Sequence, residues 1–115
     1  MYRVDDARFD EMVDDALDAI PEAFARRMRN LVVLVEERND DDPTLLGLYV
    51  GTPLPERHHD HTGYLPDTIF IYRDALEEFC STEAELAEEV LVTVLHEVGH
   101  YFGMDEDHLH ELGWG

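Results

Sequence analysis

The sequence predicts an α+β fold, in which a small mixed sheet packs against an N-terminal helix and a longer helix near the C-terminus. Three observations carry this expectation. Apolar residues recur at helical spacing in residues 5–20 and again from Leu86 to Val98. Two short runs rich in β-branched and aromatic residues, Leu31 to Val35 and Thr68 to Arg73, lie between those segments. The chain has 115 residues and no internal repeat, so it reads as one domain, 1–115, able to bury about two-thirds of its unfolded surface.

The first helix is predicted over residues 5–20, because Phe9, Met12, Val13, Ala16, Leu17 and Ile20 share one face while aspartates cover the other. Several aspartates fall early, where the helix dipole favours negative charge. Pro21 suits the first position of a short continuation through Met28, with Phe24 and Met28 on its inner face. Leu31 to Val35 is too short for a buried helix and is expected to be an interior strand covered on both faces. Glu36 to Asp42 form a charged exit, and Asn39 to Asp42 lack the glycine and terminal glutamate of a calcium loop.

Leu45 to Val50 reads as a further short strand, broken at Gly47 and closed by the turn from Gly51 to Pro55. The next loop holds His58, His59, Asp60 and His61, read as exposed loop residues with a second metal site as the alternative. Residues 68–73 form the second strand, and Asp74 is expected to cap a short helix through Cys80. Cys80 is the single cysteine, so it forms no internal disulfide and reads as a buried apolar thiol.

From Thr82 the signals for a long helix are strong. Thr82 and Glu85 have capping-box spacing, and no proline or glycine interrupts the chain before Gly99. Leu86, Val90, Leu91, Val94, Leu95 and Val98 make one broad apolar face. His96 and His100 fall on roughly the opposite side, off the core stripe. Gly103 is placed to end the helix and reverse the chain, and the acids Asp105, Glu106 and Asp107 follow that turn.

His96-Glu97-Val98-Gly99-His100 is an HExxH pattern. Residues four apart on a helix lie about 40° apart around its axis, so both imidazoles can meet one metal ion. With a third protein ligand, zinc keeps one position open for water and lowers the pKa of that water to about 7. Glu97, beside the two histidines, can then take the proton as general base and return it as general acid. This is the chemistry of metal-assisted amide hydrolysis.

The longer pattern His96-Glu97-x-x-His100-x-x-Gly103-x-x-Glu106 resembles the extended zincin motif. In that motif the third ligand stands three residues after the glycine, as histidine in metzincins and aspartate in the aspzincin-like variant. Here the position holds Glu106, with Asp105 and His108 as neighbouring alternatives. Only fifteen residues follow His100, too few for the second-helix glutamate of thermolysin-like enzymes, and Met104 stands too close for a metzincin methionine turn. The chain is most similar to the mini-zincins, small bacterial proteins with a minimal zincin-like domain. The segments LLGLYVGTPLPER at 45–57, LPDTIFIYRD at 65–74 and VLHEVGHYFGMDEDHLHELG at 94–113 carry that resemblance. It implies a zinc metallopeptidase with His96, His100 and Glu106 as metal ligands and Glu97 as the catalytic base. It further implies an extended peptide substrate along a sheet edge above the active helix, assigned to a strand such as 68–73.

Charge bounds the remaining classes. The chain carries 28 acids against 8 bases, all of them arginine, for a formal charge of −20. Such a surface repels nucleic-acid phosphate and anionic lipid. The N-terminus is charged from its third residue and lacks an apolar signal core, and no run reaches membrane-spanning length, so a cytoplasmic location is expected. A peptide or protein substrate is the expected partner. A metal- or peptide-binding module without turnover is the competing class, and an acidic nucleic-acid mimic would leave the HExxH pattern unexplained. For an oxyanion partner the aromatic candidates are Tyr64, Tyr72 and Tyr101, each of which also reads as a core or rim aromatic.

Overall fold

The computed structural model describes residues 1–56 and 66–115. The loop histidines 58, 59 and 61, together with Tyr64, lie outside the described residues. Helix α1 spans Asp6–Asp18, with Asp5 as its cap accepting the Arg8 N–H at 2.8 Å. Phe9, Met12, Val13 and Ala16 are buried on its inner face, as the spacing predicts. Pro21 precedes a single turn, α2 (Glu22–Ala25), shorter than the continuation expected through Met28.

The sheet has three strands, β1 (Leu31–Glu36), β2 (Gly47–Val50) and β3 (Asp67–Tyr72), in the order β1-β3-β2. β3 runs parallel to β1 and antiparallel to β2, so the sheet is mixed as expected. Two expectations change here. The first strand is an edge, not an interior strand: Val32 and Leu34 are 40% and 46% exposed, and the covered centre is β3, with Ile69 and Ile71 fully buried. A short apolar β-branched run marks a strand, but it carries no information about how many neighbours that strand acquires. The strand expected at 68–73 has partners on both sides, so it offers no free edge to a substrate.

Arg73 leaves the sheet directly into α3 (Arg73–Phe79), whose cap position is Tyr72 and whose first turn receives no side-chain capping bond from it. Asp74 therefore lies inside the first turn, where it favours the dipole, and is not the cap. The long helix α4 (Glu83–Tyr101) begins as predicted, with the Thr82 hydroxyl accepting the Glu85 N–H at 3.1 Å. Its Leu86, Val90, Val94 and Val98 are fully buried against α1 and the sheet. The chain reverses at Gly103, at φ 80°, a conformation that costs a glycine nothing. A final helix follows, α5 (Glu106–Leu112), where the sequence suggested only an acidic turn. Trp114 then returns to the core, its ring edge-on to Phe24 at 5.5 Å between centroids.

Candidate metal centre

Helix α4 presents His96 and His100 one turn apart, and α5 brings Glu106 over them. The His96 and His100 Nε2 atoms are 3.1 Å apart. Glu106 Oε1 lies 3.5 Å from the first and 3.3 Å from the second. Three donors of one zinc ion, at bonds of about 2.05 Å and tetrahedral angles, stand about 3.4 Å from one another. The two nitrogens and one carboxylate oxygen thus have spacings that would suit three ligands of one zinc ion, and all three residues line an open cleft. The donor set also suits zinc chemically, since it joins two borderline imidazoles to one hard oxygen.

The approach of α5 depends on Gly99 and on a cap. A Cβ at Gly99 would stand 2.0 Å from Leu109 Cδ2, so the absence of a side chain inside the HExxH segment lets α5 seat against α4. Asp105 caps α5, its carboxylate accepting the His108 N–H at 2.9 Å. That carboxylate therefore serves its own helix, and Glu106, the first residue inside the helix, is the one beside the histidines. His108 lines a different cavity with Phe24, Arg27 and Phe102. Of the three alternatives the sequence offers, the structure brings only Glu106 to the pair.

His96 has a further partner that sequence reasoning missed. Its Nδ1 lies 3.1 Å from the carbonyl oxygen of Trp114. A carbonyl only accepts, so Nδ1 carries the proton and Nε2 presents its lone pair toward Glu106 and His100. The signal was present in the left-handed Gly113 (φ 77°), whose turn directs Trp114 back toward the core.

Glu97 is buried on the same helix, beneath β2. Strand β2 passes so close that a Cβ at Gly47 would stand 2.6 Å from the Thr93 methyl and 3.3 Å from Glu97 Oε2. The Tyr49 backbone N–H donates to the Glu97 carboxylate and lowers its pKa slightly. Burial outweighs that bond, and with the nearby Glu106 charge it pushes Glu97 up to about 7. A cleft of about 760 Å³ runs between β2 and the reversal at Gly103, lined by Tyr49, Pro53, His96, Glu97, His100 and Glu106 among others.

β2 is the sheet edge that borders this cleft. The Tyr72 N–H donates to the Leu46 carbonyl, so in an antiparallel ladder Leu46 and Leu48 turn their polar backbone toward β3. Gly47 and Tyr49 turn theirs outward, along the cleft. The two tyrosines proposed as oxyanion partners that can be placed are elsewhere. Tyr72 accepts from Asn39 at 3.0 Å, and the fully buried Tyr101 hydroxyl bonds the Arg29 backbone.

Comparison with known proteins gives a family and a similar fold. The family described as zincin-like metallopeptidase matches residues 28–114, most of the chain and every residue of the candidate centre. No curated protein matches. Among solved structures, a conserved hypothetical protein from T. thermophilus is similar at 25% identity and a TM-score of 0.56, over 93% of this chain and 95% of that one.

Proposed function

This chain belongs to the zincin-like metallopeptidase family, and from that premise we propose that it is a zinc-dependent peptidase with Glu97 as its general base. His96, His100 and Glu106 would hold the ion, and the observation that carries the reading is their donor triangle of 3.1, 3.3 and 3.5 Å. Zinc bound there supplies a Lewis acid that polarises a substrate carbonyl and acidifies water. The remaining steps belong to the chain's own groups. An extended peptide pairs with the outward backbone groups of β2 around Gly47, which sets its carbonyl over the histidines. Glu97 accepts a proton from the attacking water and delivers it to the leaving amine. Trp114 keeps His96 in the tautomer that offers Nε2.

The zinc-loaded Glu97→Gln variant tests this reading. The amide keeps the shape of the carboxylate but cannot take the proton, so zinc stoichiometry should persist while cleavage of a mixed peptide library falls at least about 100-fold. Retained cleavage would remove Glu97 from the mechanism. A second reading, a metal-dependent peptide-binding module without turnover, has one observation in its favour: the Tyr72 and Tyr101 hydroxyls bond Asn39 and the Arg29 backbone and do not line the cleft. Zinc binding with no cleavage by the parent protein would favour it. Among the described residues no helix is long and apolar enough to cross a membrane.

A further inference from the structure

Beyond the metal centre, on the side of His96 and Glu97 away from Gly103, lies a second cavity of about 370 Å³. His96, Glu97 and Gly47 line both spaces, so the cavity opens beside the position where a substrate carbonyl would sit. Its apolar surface comes from half-buried Leu45, Leu46 and Val92. Besides His96 and Glu97 its polar side chains are Thr93, Asp42, Thr44 and Glu89, and no lysine or arginine lines it among the described residues.

Two of these polar groups, Thr93 and Glu89, make no side-chain hydrogen bond among the described residues. Thr93 is 6% exposed, its methyl lies against Gly47, and its hydroxyl has no hydrogen-bond partner among the described residues. The half-buried Glu89 carboxylate likewise has no hydrogen bond or ion pair there. Asp42 is fixed in place by the Thr44 hydroxyl at 2.7 Å and the Thr44 N–H at 3.1 Å. Those bonds hold it ionised, below the usual carboxylate range.

The chemistry of an occupant follows. An apolar side chain would cover Leu46 and Val92 but would strip water from Glu89 without replacing its hydrogen bonds. An acidic one would be repelled by both carboxylates. A long cationic side chain lays an apolar stem on Leu46 and Val92, and its head donates to Glu89, Asp42 and the Thr93 hydroxyl. We propose that this cavity is the specificity pocket of the cleft, taking an arginine or lysine side chain of a peptide adjacent to the bond over Glu97. The identity of the bond rests on the peptidase reading, whereas the preference for a cation does not.

The test uses zinc-loaded protein carrying Glu97→Gln and fluorescein-labelled alanine hexapeptides. Each peptide has one arginine, or its neutral isostere citrulline, at successive positions. Anisotropy titration should show one position at which arginine binds about tenfold tighter than citrulline. Adding Asp42→Asn and Glu89→Gln together should erase that preference while zinc affinity stays the same. Equal binding of the two peptide sets, no binding of either, or a preference that survives the double substitution would overturn the pocket. Cleavage by the parent protein is scored separately. Selective binding without cleavage supports the pocket and counts against the peptidase.

Discussion

The two faces of α4 were built by different rules. On one face Leu86, Val90, Val94 and Val98 are fully buried, and each needs only to be apolar and of the right volume. On the other, His96 and His100 are partly exposed, and Glu97 and Thr93 are buried with β2 crossing close over them at Gly47. The core face is satisfied by its own period. The chemical face is completed by pieces that arrive from elsewhere: Glu106 from α5, the Trp114 carbonyl from the C-terminal turn and the Tyr49 N–H from the sheet edge. Stability and chemistry should therefore separate when each face is changed alone.

The sharpest separation is expected at His100. His100→Ala removes one of three protein ligands and should weaken zinc binding by about 1,000-fold or more, measured by competition with a chelator. Its side chain is one-third exposed, so the metal-free protein should melt within a few degrees of the parent. A collapse of the metal-free fold would mean that the histidine face also carries the core.

Val94→Ala is the reciprocal case. Deleting two methyl groups from a fully buried site should cost about 2 kcal/mol in urea unfolding of the metal-free protein. Zinc affinity of the folded fraction should be unchanged. A large loss of affinity would show that the two faces are coupled through the helix.

This division also decides what was legible in the sequence. The α4 core stripe, its Thr82 cap and the two histidines off that stripe could be read directly, because helical period and capping are local. The third ligand was placed at Glu106 by its position three residues after Gly103, but Asp105 and His108 stayed open, since spacing alone does not say which side chain a turn aims at the histidines. What separates them is the short helix α5, in which Asp105 becomes the cap and Glu106 the first helical residue. The cap spacing from Asp105 to His108 and the closing Gly113 were both visible, but three acids in a row read more simply as a turn. Nor could the strands be ordered. Leu31–Glu36 looked like the covered strand and is an edge, while the strand chosen for substrate is the paired centre. Strand order is set by long-range pairing, which no local pattern encodes.

A smaller effect sharpens the comparison through pH. In the metal-free protein Glu97 holds its proton up to about pH 7, against an ordinary value of 4.5. The folded state thus binds that proton more tightly than the unfolded chain does. Its contribution to stability is complete below about pH 4.5 and is lost as pH rises through 7. Because the cleft is open to water, the loss between pH 5 and 8 should be about 1–2 kcal/mol. Urea unfolding of metal-free Glu97→Gln should lack this decrement. An identical pH dependence in the two proteins would remove Glu97 as its source.

The most direct measurement is anomalous diffraction at the zinc absorption edge from crystals of the tag-free protein soaked in zinc, paired with the same experiment on Glu106→Ala. One full-occupancy peak should lie about 2 Å from His96 Nε2, His100 Nε2 and a Glu106 oxygen, and it should weaken sharply in the variant. A peak held instead by Asp105, by His108 or by the two histidines with water alone would contradict the account.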